Sequence, residues 1–319
     1  MTSPISTGTA PRVAPAADVT AIPLRRPWRW ISAVVLLGVV GLFTQSLLTN
    51  KNIEYPAIGR YLFDTHILAG VWLTLVLTVL SMVVSTLLAI LIAAMRLSTN
   101  PVLSTLSWLY VWLFRGTPLL VQIVLWGYLG LLYSRLSVGI PLTDMVFWSV
   151  DTNSLITAFV AGFLALTLNE AAYSSEIVRA GMLSVDEGQR EAAYSLGMSP
   201  LYTFSRILLP QAMRVIIPPM GNELISMLKN TSLLSVIAVL ELYTQASLIS
   251  SQNLKQVELL AVVSIWYLFM TSVLSVPQYY LERRFGRGAS RTLPPTPLQR
   301  LRAMVADRTR PTETPQVKP

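Results

Sequence analysis

The chain has 319 residues, of which 53% are hydrophobic and only 13% charged, and its mean hydropathy is +0.56. Soluble globular domains carry roughly 25% charged residues, so a soluble fold is excluded. A transmembrane β-barrel is excluded too, because its strands alternate apolar with polar residues instead of running apolar for whole segments.

In chain order, residues 1–30 are rich in Pro, Ala, Ser and Thr and are predicted to be a disordered tail. Six apolar runs follow, over 31–48, 69–95, 118–134, 156–177, 219–240 and 259–279, each near the roughly 20 residues that a spanning helix needs. The first has no small-residue cleavage site behind it and reads as an extra, uncleaved anchor. Arg115-Gly116-Thr117-Pro118 reads as the start of the third span, with Thr117 as cap, Pro118 first in the helix and Arg115 at the headgroups. Residues 285–319 form a second disordered tail, basic and proline-rich. The fold class is all-α: a polytopic membrane protein with about six transmembrane helices. The absence of cysteine and the presence of one histidine, His66, leave no disulfide, no thiolate chemistry and no basis for a metal site.

Positive charge orients these spans. Nineteen of the 24 Lys and Arg fall in segments that alternate onto the side of the amino terminus, whereas Lys51, Arg60, Arg135 and Lys255 fall on the other. By the positive-inside rule both termini are cytoplasmic, and the net charge of +8 calls for no nucleic acid partner. The cytoplasmic loop 180–215 is long for a helix connection and carries its own start and stop signals. Ser184 and Glu187 are spaced as a capping box, and Gly197 suits a left-handed stop. Ser199-Pro200 then begins a second short helix, expected to end near Pro210. Two short, terminated helices placed here read either as a rigid docking element through which a soluble partner moves the spans or as an amphipathic segment lying in the membrane interface.

Polar residues inside spans are costly and point to function. Asn169 and Glu170 lie in the fourth span, and Glu223 and Lys229 in the fifth, followed by Asn230, Thr231 and Ser232. Lys229 is placed to pair with either glutamate, so an internal ion pair stands beside a second reading: these residues line a solute route, with a carboxylate for an ammonium and a lysine for a carboxylate. The sequence holds no G-x-x-x-x-G-K-[ST] and hence no phosphate-cradling loop, and no catalytic constellation is expected. A membrane-embedded enzyme lacks converging catalytic groups, and a channel leaves the terminated loop helices unexplained.

The string EAAYS occurs twice, at 170–174 and 191–195, but only the second copy runs on to Gly197 and, after nine intervening residues, to Ile207, Leu209 and Pro210. With Glu191, Ala192 and Ala193 these residues resemble the EAA-x3-G-x9-I-x-L-P motif of ABC importer permeases. LFRGTPLLVQ (113–122), VDEGQREAAYSLG (185–197) and KNTSLLSVIAVLE (229–241) are similar to the polar amino-acid uptake branch, the histidine/glutamine/glutamate type. The resemblance runs from about Gly70 to Arg284 and leaves out the first span and both tails. It implies that 69–284, with the last five spans, form a type I importer core. It also implies that the EAA helix is a coupling helix seated in a cytoplasmic ATPase subunit, with Glu191 in contact, Ala192 and Ala193 allowing close approach and Gly197 making the turn. The implied partners are two ATPase subunits, a second permease chain (identical or related), an extracytoplasmic solute-binding protein and the lipid of a bacterial plasma membrane. ATP and Mg would serve the ATPase, with no cofactor on this chain. The implied function is ATP-driven import of polar amino acids, with another small zwitterion, a compatible solute or opine, as the alternative.

Overall fold

A computed structural model describes residues 27–140 and 145–285; nearly all of the two expected tails lies outside them. The chain divides into two units, Met1–Ile53 and Glu54–Pro319. The first contains α1 (Pro27–Leu48), whose apolar side chains, Val34 to Leu37 and Leu42 to Phe43 among them, are exposed. A helix apolar on every side suits lipid.

The second unit runs through α2 (Tyr55–Leu62), α3 (Thr65–Arg96), α4 (Pro101–Gly116), α5 (Leu119–Gly127) and α6 (Leu129–Leu132) to a hairpin of β1 (Arg135–Gly139) and β2 (Val146–Asp151), antiparallel with Arg135 opposite Asp151. After α7 (Thr152–Leu155) come α8 (Ala158–Leu183), α9 (Glu187–Ser195), α10 (Pro200–Thr203) and a π turn at Phe204–Leu208. They lead into α11 (Leu209–Asn230), a 3-10 segment at Thr231–Ile237, α12 (Leu242–Asn253) and α13 (Gln256–Phe285).

Among the described residues, α1, α3 and α13 are each long and apolar enough to cross a membrane. So are two bent pairs, α4 with α5 (99°) and Pro200–Ile237 with α12 (45°). Helix α8, with 26 residues, is long enough at about 1.5 Å per residue but carries Asn169 and Glu170 near its middle. It tolerates them because it is the central helix, packed by α3, α4, α5 and α11. Its buried face is built of Ala161, Gly162, Ala165, Ala171, Ala172, Ser174 and Ser175, and α3 presents Thr74, Thr78, Ser81, Ser85, Ala89 and Ala93 at spacings of three and four. Small residues let backbones approach closely, which is what holds helices together where lipid is as apolar as leucine. Larger side chains fill the space around this seam, with Leu77, Ile123, Leu166, Met227 and Leu234 in one cluster and Ile67, Leu228, Leu242, Leu259 and Val262 in another.

The spans expected over 118–134 and 219–240 differ from this structure. The first is preceded by a helix that was not expected, α4, which ends at Gly116; Thr117 and Pro118 are extended (ψ 141° and 138°), α5 begins at Leu119, and the run is interrupted at Tyr128 between α5 and α6. A residue preceding proline is pushed out of the helical region, so the R-G-T-P stretch ends α4 as well as starting α5, with Pro118 as the cap and not the first helical residue. The second begins at Leu209 and passes through both Pro218 and Pro219. It then tightens into the 3-10 segment, which ends at Ala238 in the left-handed region (φ 57°).

Candidate functional site

The break between α4 and α5 opens a cavity of about 480 Å³ against α8 and α11. Arg115, Gly116 and Thr117 line one wall, Asn169, Glu170 and Tyr173 a second, and Glu223, Asn230 and Leu233 a third. Four of the residues expected to face solute therefore share one cavity: Asn169, Glu170, Glu223 and Asn230. Lys229 is exposed and does not line it, and no ion pair joins it to either glutamate among the described residues. Thr231 is buried, its hydroxyl donating to Leu228 O at 2.7 Å, and Ser232 donates to Lys229 O and borders a neighbouring cavity. The cation in the cavity is Arg115, whose guanidinium lies over the Tyr173 ring, 5.0 Å from its centroid.

The end of a helix leaves its last carbonyls without partners. Gln122 meets that demand here, its amide donating to Phe114 O (2.9 Å), Thr117 O (3.1 Å) and Thr117 Oγ1 (2.7 Å). Asn169 adds donation to Phe114 O (3.1 Å) and to Gln122 Oε1 (3.3 Å). The amide of Asn169 thus braces the cavity wall, while Glu170, buried, accepts from Ser174 Oγ at 2.6 Å. Gln122 and Arg115 were not among the residues expected in the route. The signal in the sequence was an amide in an otherwise apolar run, LLVQIVLW.

Beyond the carboxyl end of α8, the loop is ordered. The capping box expected from Ser184 and Glu187 is not formed: the Ser184 hydroxyl donates to Gly181 O (2.7 Å), and the Asp186 carboxylate caps α9 by accepting from Gly188 N–H at 2.8 Å. A carboxylate directly at the helix start serves its free N–H groups and its dipole together. The other end stops as expected at Gly197, with φ +76°. Met198 N–H donates to Ala193 O and Gly197 N–H to Tyr194 O, at 3.1 and 2.9 Å, the paired bonds of a Schellman motif. Glu191 and Ala192 are exposed, whereas Ala193 is 2% exposed and buried within the loop itself. Around them stand Tyr194, Leu196 (82% exposed), Leu201 (78%) and Tyr202.

The helix expected to end near Pro210 does not end there. Leu209 N–H donates to Phe204 O, five residues back, and this π turn admits Pro210, which has no N–H to contribute, without breaking the helical path into α11. Ile207 and Leu209 are half-buried and Pro210 exposed; the Gln211 amide donates to Ile207 O at 3.0 Å. The loop is rooted in the spans where α8 meets α11: a Cβ built on Gly181 would lie 2.3 Å from Ile216 Cγ1.

The sequence profile described as binding-protein-dependent transport system inner membrane component matches residues 85–287, a stretch that holds both the cavity and the loop. The arginine transport system permease protein ArgU of Corynebacterium glutamicum is 44% identical over 293 residues, 91% of this chain and 90% of its own. The nopaline transport system permease protein NocM of Agrobacterium fabrum is 39% identical over 209 residues, 66% of this chain and 83% of its own. In a crystal structure of an amino acid ABC transporter with histidines, one chain superposes with a TM-score of 0.61 and 33% identity, covering 73% of this chain and 99% of that one.

Proposed function

The chain belongs to the family of binding-protein-dependent transport system inner membrane components, and from that premise we propose that it is the permease subunit of an ATP-driven importer of polar amino acids, with a cationic amino acid as its best-fitting solute. What carries the solute class is the charge of the cavity: two carboxylates, Glu170 and Glu223, with one guanidinium, Arg115. An amino acid with a basic side chain brings one carboxylate and two cations, the complement of that set. Arg115 takes the role that the sequence suggested for Lys229, because it is the cation lining the space. The name of the Corynebacterium relative supports the same class. The nopaline relative supports an opine as the second reading.

The energy comes from outside the chain, which has no phosphate-cradling loop. In this reading the termini and α9 are cytoplasmic in a bacterial plasma membrane, and ATPase subunits, using ATP and Mg, dock on α9. Glu191, Ala192 and the apolar rim of Tyr194, Leu196, Leu201 and Tyr202 form the contact, while Ala193 packs inward and Gly197 fixes the shape. A second permease chain completes the pathway, and an extracytoplasmic binding protein delivers solute to it. Because α8 and α11 meet at Gly181 beside the loop, motion of α9 reaches both helices that line the cavity.

The test is uptake of labelled arginine by the permease reconstituted with its ATPase and binding protein. Glu170→Gln combined with Glu223→Gln is expected to lower uptake at least tenfold while ATP hydrolysis persists. Uptake equal to that of the unaltered permease removes the cavity from the solute route.

A further inference from the structure

Leu233 lines the cavity just described and also a second one of about 280 Å³, bordered by Leu120, Ser232, Ser235, Val236 and Tyr243. Adjacent residues of α5 divide in the same way, Leu119 facing the first cavity and Leu120 the second. The wall between the two spaces is thus the 3-10 segment and the start of α5. A 3-10 segment of seven residues is longer than such turns usually run, and its hydrogen bonds are poorer than those of an α-helix. Something outside the segment must hold it.

Two kinds of contact do so. On its back, Leu234 and Ile237 fit into notches left by glycines: a Cβ on Gly162 would lie 2.9 Å from Leu234 Cδ2, and one on Gly127 2.3 Å from Ile237 Cγ2. Beyond its end stands Glu241, fully buried, whose two oxygens accept four hydrogen bonds. Oε1 takes Thr244 N–H (2.8 Å) and Thr244 Oγ1 (2.9 Å), and Oε2 takes Tyr243 N–H (3.0 Å) and the Tyr267 hydroxyl (3.1 Å). The carboxylate therefore ties the start of α12 to α13, and the adjacent Leu242 N–H donates to Thr74 Oγ1 on α3 at 3.2 Å. The same Tyr267 hydroxyl lies 3.4 Å from Thr231 Oγ1, at the first residue of the segment. One tyrosine thus links the first residue of the segment to a carboxylate four residues past its last.

We propose that Glu241 and Tyr267 are positioning residues that clamp the 3-10 segment as the barrier between an inner and an outer cavity, so that solute passes only when the clamp is strained by movement of α13 or α12. The proposal rests on the transport reading above, and it assigns these two residues no contact with solute. A satisfied carboxylate in a dry interior is stiff, because any displacement leaves donors or acceptors unpaired there, so the barrier holds until the spans themselves move.

The chain has no cysteine, so Ser235→Cys places a single thiol in the second cavity of the full permease, assembled with its ATPase in proteoliposomes. With the clamp intact, a membrane-impermeant maleimide is expected to label this thiol from the outer side and at most one tenth as fast from the cytoplasmic side. Adding Tyr267→Phe is expected to raise the cytoplasmic rate at least fivefold and, with Ser235 restored, to raise the ATP hydrolysed per solute imported severalfold. Glu241→Gln serves as a second clamp variant, read in the same two ways, should Tyr267→Phe fail to assemble. Unchanged cytoplasmic labelling together with an unchanged ATP-to-solute ratio overturns the clamp. The labelling needs neither solute nor turnover, so it stands or falls independently of whether Glu170 and Glu223 meet the solute.

Discussion

Ending a helix frees its last carbonyls, and one buried amide serves two of them at the α4–α5 break. Gln122 serves two carbonyls and a hydroxyl of the α4–α5 break; leaving one buried carbonyl unpaired costs about 1–3 kcal/mol. Gln122→Leu is therefore expected to destabilise the permease by about that amount and to lower its unfolding temperature in detergent, whereas Gln122→Glu, unable to donate when ionised, is expected to be worse. A thermal melt equal to that of the unaltered protein for Gln122→Leu shows that the break is held by other means. At this scale the sequence is informative about kind but not about pairing. Glu170 and Glu223 stand out as charges in apolar runs, yet nothing in their spacing tells that Arg115, read as a headgroup anchor, shares their cavity while Lys229 does not. Glu241 escaped notice for a similar reason: it sits just past the expected end of a span, where a carboxylate looks solvated, and only the fold puts Tyr267 and the start of α12 around it.

Short helices declare themselves through their ends, and α9 is the clearest case. Its left-handed stop is legible because only a residue without Cβ adopts φ +76° freely. Its start is less so, because Ser184 and Asp186 are both good caps and local spacing favours the wrong one. The break before α5 and the proline-containing α11 were hidden by the same limit. Proline forbids certain bonds without saying whether the chain breaks, as at Pro118, or reroutes through a π turn, as before Pro210. If the Schellman turn is what presents Glu191 and the rim around Leu196, then Gly197→Val, which forces a β-branched residue into the left-handed region at about 1–2 kcal/mol or more, should detach the ATPase. The expected outcome is loss of ATPase co-purification and of ATP-driven uptake, with the permease still folded. Gly197→Asn, which tolerates this backbone, is expected to restore both. Equal behaviour of the two variants assigns the defect to the missing glycine and not to the strain.

At the scale of the whole molecule the two units carry different information. The family profile begins at residue 85 and lies wholly within Glu54–Pro319, so cavity, loop and clamp all belong to the second unit. A match over 91% of the chain, however, leaves too little unmatched to exclude α1, which ends at Leu48, so the alignment with the arginine permease relative reaches into it. The orientation of the assembly rests on charge. Arg96, Arg179, Arg190, Arg206 and Arg214 fall in segments on the same side of the expected spans as α9, the side on which the proposed ATPase would act, and Arg60 and Lys255, the latter paired with Glu54, fall on the other. The absence of cysteine makes this testable one position at a time. Ser195→Cys, exposed at the end of α9, and Ser251→Cys, exposed near the end of α12, should be labelled by an impermeant maleimide from opposite sides of sealed vesicles, Ser195 only from the cytoplasmic side. Both changes fall on exposed side chains, where substitution usually shifts stability by no more than about 0.5 kcal/mol, so each labelling pattern reports topology and not damage. Labelling of both thiols from the same side contradicts the charge-based orientation. It also removes the ATPase from α9, because a helix on the outer face has no access to cytoplasmic nucleotide hydrolysis.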